Sequence, residues 1–147
     1  MSLDTVFQVA NALAMAGWLA LALAPLLPRW SDRLAGFAIP LVLAVGYAGL
    51  VLAFWSRAEG GFGSLDEVMR LLSGREIALA GWLHYLAFDL FVGAWASRTA
   101  RAEGLPHVLL LPCLGLTFLF GPAGFLAFVA LRVARSGRIV LPRREDA

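Results

Sequence analysis

The sequence predicts an all-α integral membrane protein: a four-helix bundle with a short interfacial helix between its second and third spans. Three observations carry that expectation. Hydrophobic side chains make up 61% of the 147 residues and the mean hydropathy is +0.79, well above the usual balance of a soluble domain. Four apolar runs, at about 6–27, 34–55, 76–97 and 108–131, each approach the roughly 20 residues that cross a hydrocarbon core. Charged residues fall between these runs, apart from Glu76 at the mouth of the third and Asp89 within it.

A single membrane domain therefore accounts for residues 1–147. All twelve basic residues are arginines, set against ten acids for a net charge of +2, which is too weak a basic field for nucleic acid. Cysteine occurs once, at Cys113, so neither a disulfide framework nor a multi-cysteine metal site is available. Cys113 also lacks a basic neighbour that would activate it as a nucleophile.

The first run, Val6 to Leu27, is interrupted only by Gln8 and Asn11. It reads as a span rather than a cleaved leader because no basic segment precedes it and Pro25 follows immediately on Ala22-Leu23-Ala24, which otherwise resembles a cleavage site. Asn11 is placed to hydrogen-bond across to another span. Pro28 to Arg33 combines a helix breaker, charges and Trp30, which predicts a short turn at the membrane surface. The second run carries Pro40, Gly46 and Gly49, small residues that permit close helix approach, and Tyr47 as its central polar handle.

The connection from Ser56 to Arg75 is the one extended polar stretch. Ser64-Leu65-Asp66-Glu67 has the form of a capping box, followed by Leu65, Val68, Met69 and Leu72 on one stripe and by Gly74 as a stop. This predicts an amphipathic helix over about 64–73 lying on the interface. Ser97 to His107 predicts a short turn, and the fourth run, containing Pro112, Cys113, Thr117, Gly121, Pro122 and Gly124, predicts a kinked span. A basic tail over 132–147 ends the chain. With four spans, eight arginines gather on the side of the termini and four on the other, which places both termini in the cytoplasm. The lysine-free, alanine- and arginine-rich composition points to a multi-pass protein of a bacterial inner membrane.

The chemistry concentrates in Gly81 to Trp95. An aspartate at bilayer depth costs about 2.5–3.5 kcal/mol on insertion scales, so Asp89 is a functional candidate, with His84 beside it. At 100° per residue Asp89 shares a face with Tyr85 and Trp82, whereas His84 lies about 140° away with Phe88, Phe91 and Trp95. An i, i+5 pair does not converge on a metal as an i, i+4 pair would, and His107 lies too far along the next segment to complete a bis-histidine haem site. The candidate set is Asp89 and His84 for acid–base chemistry, and Trp82, Tyr85, Phe88, Phe91, Trp95, Asn11 and Thr117 for substrate contact, with no metal. A purely structural reading competes: Asp89 bonded to Tyr85 or Asn11, fixing how the bundle packs.

The run Gly81-Trp82-Leu83-His84-Tyr85-Leu86-Ala87-Phe88-Asp89-Leu90-Phe91-Val92-Gly93 resembles the signature of the abscisic-acid-deficient-four-like family, whose plant members are neoxanthin synthases. The likeness extends over Asn11 to Trp18, Pro40 to Tyr47, and Leu111 to Thr117 through Gly124. The resemblance implies a carotenoid-related membrane protein, with Trp82, His84 and Asp89 at the family's most recognisable positions. Its chemistry would turn an epoxide end group into an allenic alcohol, an isomerisation that in principle needs no cofactor. Asp89 would protonate the epoxide oxygen and neutral His84 would take a carbon-bound proton, with the aromatic side chains packed along the polyene. The implied partners are membrane lipid and a carotenoid or other hydrophobic small molecule; a homo-oligomer is compatible with the sequence. A non-catalytic carotenoid-binding or scaffold protein is the alternative.

Overall fold

The computed structural model describes residues 2–136, and within them the chain is helical almost throughout. Helix α1 (Leu3–Ala22) starts from Ser2, whose hydroxyl accepts the Thr5 N–H at 3.1 Å, with Asp4 in the first turn where the helix dipole favours an acid. A short turn leads to α2 (Pro28–Arg33), which runs through a π-helical turn (Leu34–Ala38) into α3 (Ile39–Phe54) and a 3₁₀ turn (Trp55–Arg57). The predicted surface turn at Pro28 to Arg33 is thus already helix. Pro28 sits in the first turn, where its missing N–H and fixed φ suit a helix start. Pro40 is tolerated farther along: the wider π turn before it makes room where its ring would meet the carbonyl four residues back.

Helix α4 (Leu65–Ser73) forms where the capping signal predicts. Ser64 accepts the Glu67 N–H at 3.2 Å, and the Glu67 carboxylate reaches back to the Gly63 N–H at 3.0 Å, one residue beyond the capping-box position. Leu71 is buried, with α4 packed on α5, while Leu65, Met69 and Leu72 of the predicted stripe stay exposed. Helix α5 (Arg75–Ala102) is the central rod, about 42 Å long from its 28 residues. It extends five residues beyond the predicted span. Glycines seat its neighbours: Leu90 packs onto Gly17 and the Trp18 ring onto Gly93 across α1, and Leu83 onto Gly46 across α3.

The largest departure from the sequence reading lies in the fourth run. It is two helices, α6 (His107–Phe120) and α7 (Pro122–Ser136), and they fold back on each other. Gly121, at φ +39° and ψ −92°, makes the reversal in a backbone conformation that other residues rarely adopt. Gly124 then packs so tightly on Thr117 that an added Cβ would lie 2.5 Å from the Thr117 Cα. In one continuous helix those residues would be about 10 Å apart along the axis. The ends agree with the reversal. His107 at the start of α6 contacts the Ala22 carbonyl at 3.0 Å, and Arg132 near the end of α7 pairs with Glu103 just beyond α5. Both ends therefore sit at the same end of the bundle.

Three helical stretches are long and apolar enough to cross a membrane: Leu3–Ala22, Pro28–Arg57 and Arg75–Ala102. In place of the expected fourth long helix stands the α6–α7 hairpin, whose two outer ends lie at one end of the bundle. The Asp4–Arg75 pair at 2.9 Å marks the opposite end of α5, so residue 2 and the end of α7 lie at opposite ends, not together as a four-span bundle would place them. Arg132, predicted to begin a solvated tail, is buried inside α7; residues 137–147 of that tail lie outside the described residues. The many exposed large apolar side chains, among them Leu52, Val45, Phe37 and Val108, face where lipid would be.

Candidate functional site

The hairpin tip meets α5 at Asp89. Both Asp89 carboxyl oxygens lie within 2.9 Å of the point that a Gly121 Cβ would occupy, so the carboxyl rests directly on the reversal. Its Oδ2 atom is buried and has no hydrogen-bond partner among the described residues. An orphaned carboxyl oxygen in an apolar setting is costly, so it is either a reactive group or one poised for a partner.

One turn earlier, Tyr85 donates its hydroxyl proton to the Phe118 carbonyl at 3.1 Å, near the end of α6, and its phenol also neighbours the Asp89 carboxyl. Trp82 stacks on Tyr85 with ring centroids 5.2 Å apart and donates its indole N–H to the Asn11 side-chain oxygen at 3.1 Å. Asn11 in turn donates to the Phe7 carbonyl at 2.8 Å, which fixes its orientation. The sequence-level expectation that Asn11 bonds across to another span is thereby met, with Trp82 as the partner. Asn11, Trp82, Tyr85 and Phe118 wall a cavity of about 210 Å³ between α1, α5 and α6. Four of the candidate residues, Asn11, Trp82, Tyr85 and Asp89, thus form one contiguous group.

The others are elsewhere. His84 is exposed on the opposite side of α5, stacked on Phe88 at 4.5 Å and near Tyr47 at 5.6 Å. Phe88 and Phe91 face a separate apolar groove against α3. Trp95 packs on Phe125 and Phe128 of α7, at 5.8 and 5.4 Å, as part of the bundle's interior. Thr117 is buried within the hairpin, donating to the Cys113 carbonyl at 2.8 Å and touching Gly124, with no face on the cavity. Cys113 is buried as well. His84 and Asp89 therefore do not meet in one cavity; the helix body stands between them, as their five-residue spacing requires.

Sequence reasoning missed Gly121 and Gly124 as shaping the site, and the buried Arg132–Glu103 pair, whose hydrogen bonds include two at 3.2 and 2.9 Å. Glu103 just past the third run and Arg132 just past the fourth were the available signal. No curated protein and no solved structure matches the chain. The model of the family described as ABA DEFICIENT 4-like matches residues 5–128, which takes in nearly all of α1, all of α2 to α6, about the first half of α7 and every residue of the site, and the chain belongs to that family.

Proposed function

We propose that the protein acts on carotenoid-like isoprenoid lipids, taking the oxygenated end group into the cavity between α1, α5 and α6, with Asp89 as its proton donor. The observation that carries this reading is the buried, unpartnered Oδ2 of Asp89 beside Tyr85, which itself lines the cavity. Trp82 and Asn11 offer a ring to stack on and a polar rim, a pairing suited to a hydroxylated or epoxidised ring on an apolar chain. An isomerisation of an epoxide to an allenic alcohol needs one proton delivered to oxygen and one removed from carbon. Asp89 supplies the first. His84 lies on another face, so the removal would fall to the Asp89–Tyr85 side rather than to an Asp89–His84 couple.

A second reading is favoured by a specific contact: the Asp89 carboxyl packs on Gly121, so it could serve to dock the hairpin in a binding or scaffold protein without chemistry. The two readings separate in a carotenoid-producing host. Expression of the wild type should change the pigment profile, and Asp89→Asn, with equal expression and stability, should abolish the change. Unchanged conversion by Asp89→Asn would remove Asp89 from the chemistry; bound pigment with no altered pigment would favour the binder.

We further infer a bacterial inner-membrane protein with the α7 end in the cytoplasm. Arg29, Arg33, Arg98, Arg101, Arg132 and Arg135 gather at that end against Arg57, Arg70 and Arg75 at the other, and cytoplasmic loops carry the arginine excess. The start of α1 then faces outward.

A further inference from the structure

On the face of α5 away from Asp89, His84, Phe88, Phe91 and Arg98 fall at offsets of 0, 4, 7 and 14, one stripe along the helix. Phe88 and Phe91, with Ala87, face Gly36, Phe37, Pro40 and Leu41 across an open groove of about 310 Å³ whose lining is almost wholly apolar. Polar groups flank the groove without lining it. His84 stacks on Phe88 with Tyr47 beside it, and the Arg98 guanidinium rests on Gly36, about 21 Å from His84 along the helix axis.

Arg98 is unlike the cations around it. Arg101 pairs with Asp32 at 2.6 Å and Arg132 with Glu103, whereas Arg98 has no carboxylate partner among the described residues. It is half-buried, and its guanidinium rests on Gly36, so close that a Cβ there would displace it. Gly36 sits in the π-helical turn, an irregularity found at functional positions more often than in plain helix. An arginine held beside a groove, with no hydrogen-bond or ion-pair partner for it among the described residues, is a fork awaiting an anion.

We propose that this groove binds an amphiphile with one apolar chain and an anionic head group, carboxylate or phosphate. The head sits on Arg98 and the chain runs over Phe91 and Phe88 toward His84. The head would then lie at the membrane surface and the chain tip near the bilayer centre, since a leaflet's hydrocarbon is about 15 Å deep. The inference is independent of the Asp89 chemistry, which uses another face of α5.

The test uses the full chain in phosphatidylcholine nanodiscs with three photoactivatable C16 probes: a fatty acid, an alkyl phosphate and the uncharged alcohol. Labelling should map to the peptides bearing Phe37 to Leu41 and Phe88 to Phe91, for one or both anionic probes, at least tenfold above the alcohol. Acid alone or phosphate alone would identify the head group. Arg98→Gln should lower anionic labelling about tenfold, and Arg98→Lys should retain most of it. Leu41→Trp, filling the groove, should suppress labelling by every probe, while Arg29→Gln at the same surface should leave it unchanged. Equal labelling by the alcohol, or undiminished labelling of Arg98→Gln or Leu41→Trp, would overturn the proposal. Should Arg98→Gln fail to fold, the alcohol comparison and Leu41→Trp decide alone.

Discussion

Gly124→Ala tests the hairpin directly. The new Cβ would lie 2.5 Å from the Thr117 Cα and closer still to its backbone nitrogen, and backbone cannot swing aside as a side chain can. Overpacking costs about 1–3 kcal/mol, and contact with backbone puts this case near the top of that range. Alanine regains about 0.5–1 kcal/mol over glycine within a helix, which leaves a net loss of about 2 kcal/mol. Gly115→Ala, in the same helix pair but with nothing within 4 Å of its added Cβ, is the control and should be neutral or stabilising. The measurement is an unfolding curve in mixed micelles titrated with denaturing detergent, with a parallel thermal melt. For a chain of this length, about 2 kcal/mol corresponds to a Tm lowered by roughly 4–8 °C. If α6 and α7 were one kinked crossing, positions 117 and 124 would be about 10 Å apart and both variants would behave alike. Equal stability of Gly124→Ala and Gly115→Ala would therefore refute the fold-back.

Three further outcomes follow from the same geometry. Removing one partner of the buried Arg132–Glu103 pair, as in Arg132→Met or Glu103→Gln, should cost about 3–5 kcal/mol, while the double variant Arg132→Met/Glu103→Leu should recover much of it; the same unfolding curves read both. In a Cys113→Ala background, a membrane-impermeant maleimide should label Thr5→Cys in intact cells and Ala134→Cys only after lysis, and labelling of both or neither in intact cells would contradict the proposed orientation. Asn11→Ala removes the acceptor for the Trp82 indole and should lower stability by about 0.6–2 kcal/mol, with Asn11→Asp a poor rescue because it buries charge.

The parts of the fold that hydropathy and capping chemistry determine were legible in the sequence. The three long apolar helices follow from run length, and α4 from Ser64, Glu67 and its stripe. The helical wheel also separated Asp89 from His84 correctly, because a helix's side-chain angles depend on spacing alone. What hydropathy does not encode is direction. A 24-residue apolar run containing Gly121, Pro122 and Gly124 has the same composition whether it kinks and continues or reverses, and length alone favours crossing. The distinguishing information was long-range: Glu103 would be left without Arg132 if α7 ran on to the far side. Likewise, Pro28 was read as a breaker although the first turn of a helix is where proline is most at home. Thr117 was read as a cavity residue because helix polarity was visible and its packing against Gly124 was not.

Asp89 and Gly121 are best understood as one feature. The carboxyl fills the space a side chain at 121 would need, and the reversal needs the φ that glycine alone adopts readily. Tyr85 holds the last turn of α6 through the Phe118 carbonyl, while the Asp89 carboxyl packs on Gly121 just before α7. Two residues of α5 one turn apart thus grip the two sides of the tip. A substitution at Asp89 can accordingly lose activity by losing a proton donor or by loosening the hairpin, and activity alone does not separate these. Asp89→Asn keeps the side chain's shape against Gly121, so a docking role predicts intact hairpin stability with intact function, and an acid role predicts intact stability with function gone. Asp89→Ala removes both. A hairpin as stable in Asp89→Ala as in the wild type, with Gly124→Ala still destabilising, would show that the carboxyl contributes nothing to docking the tip.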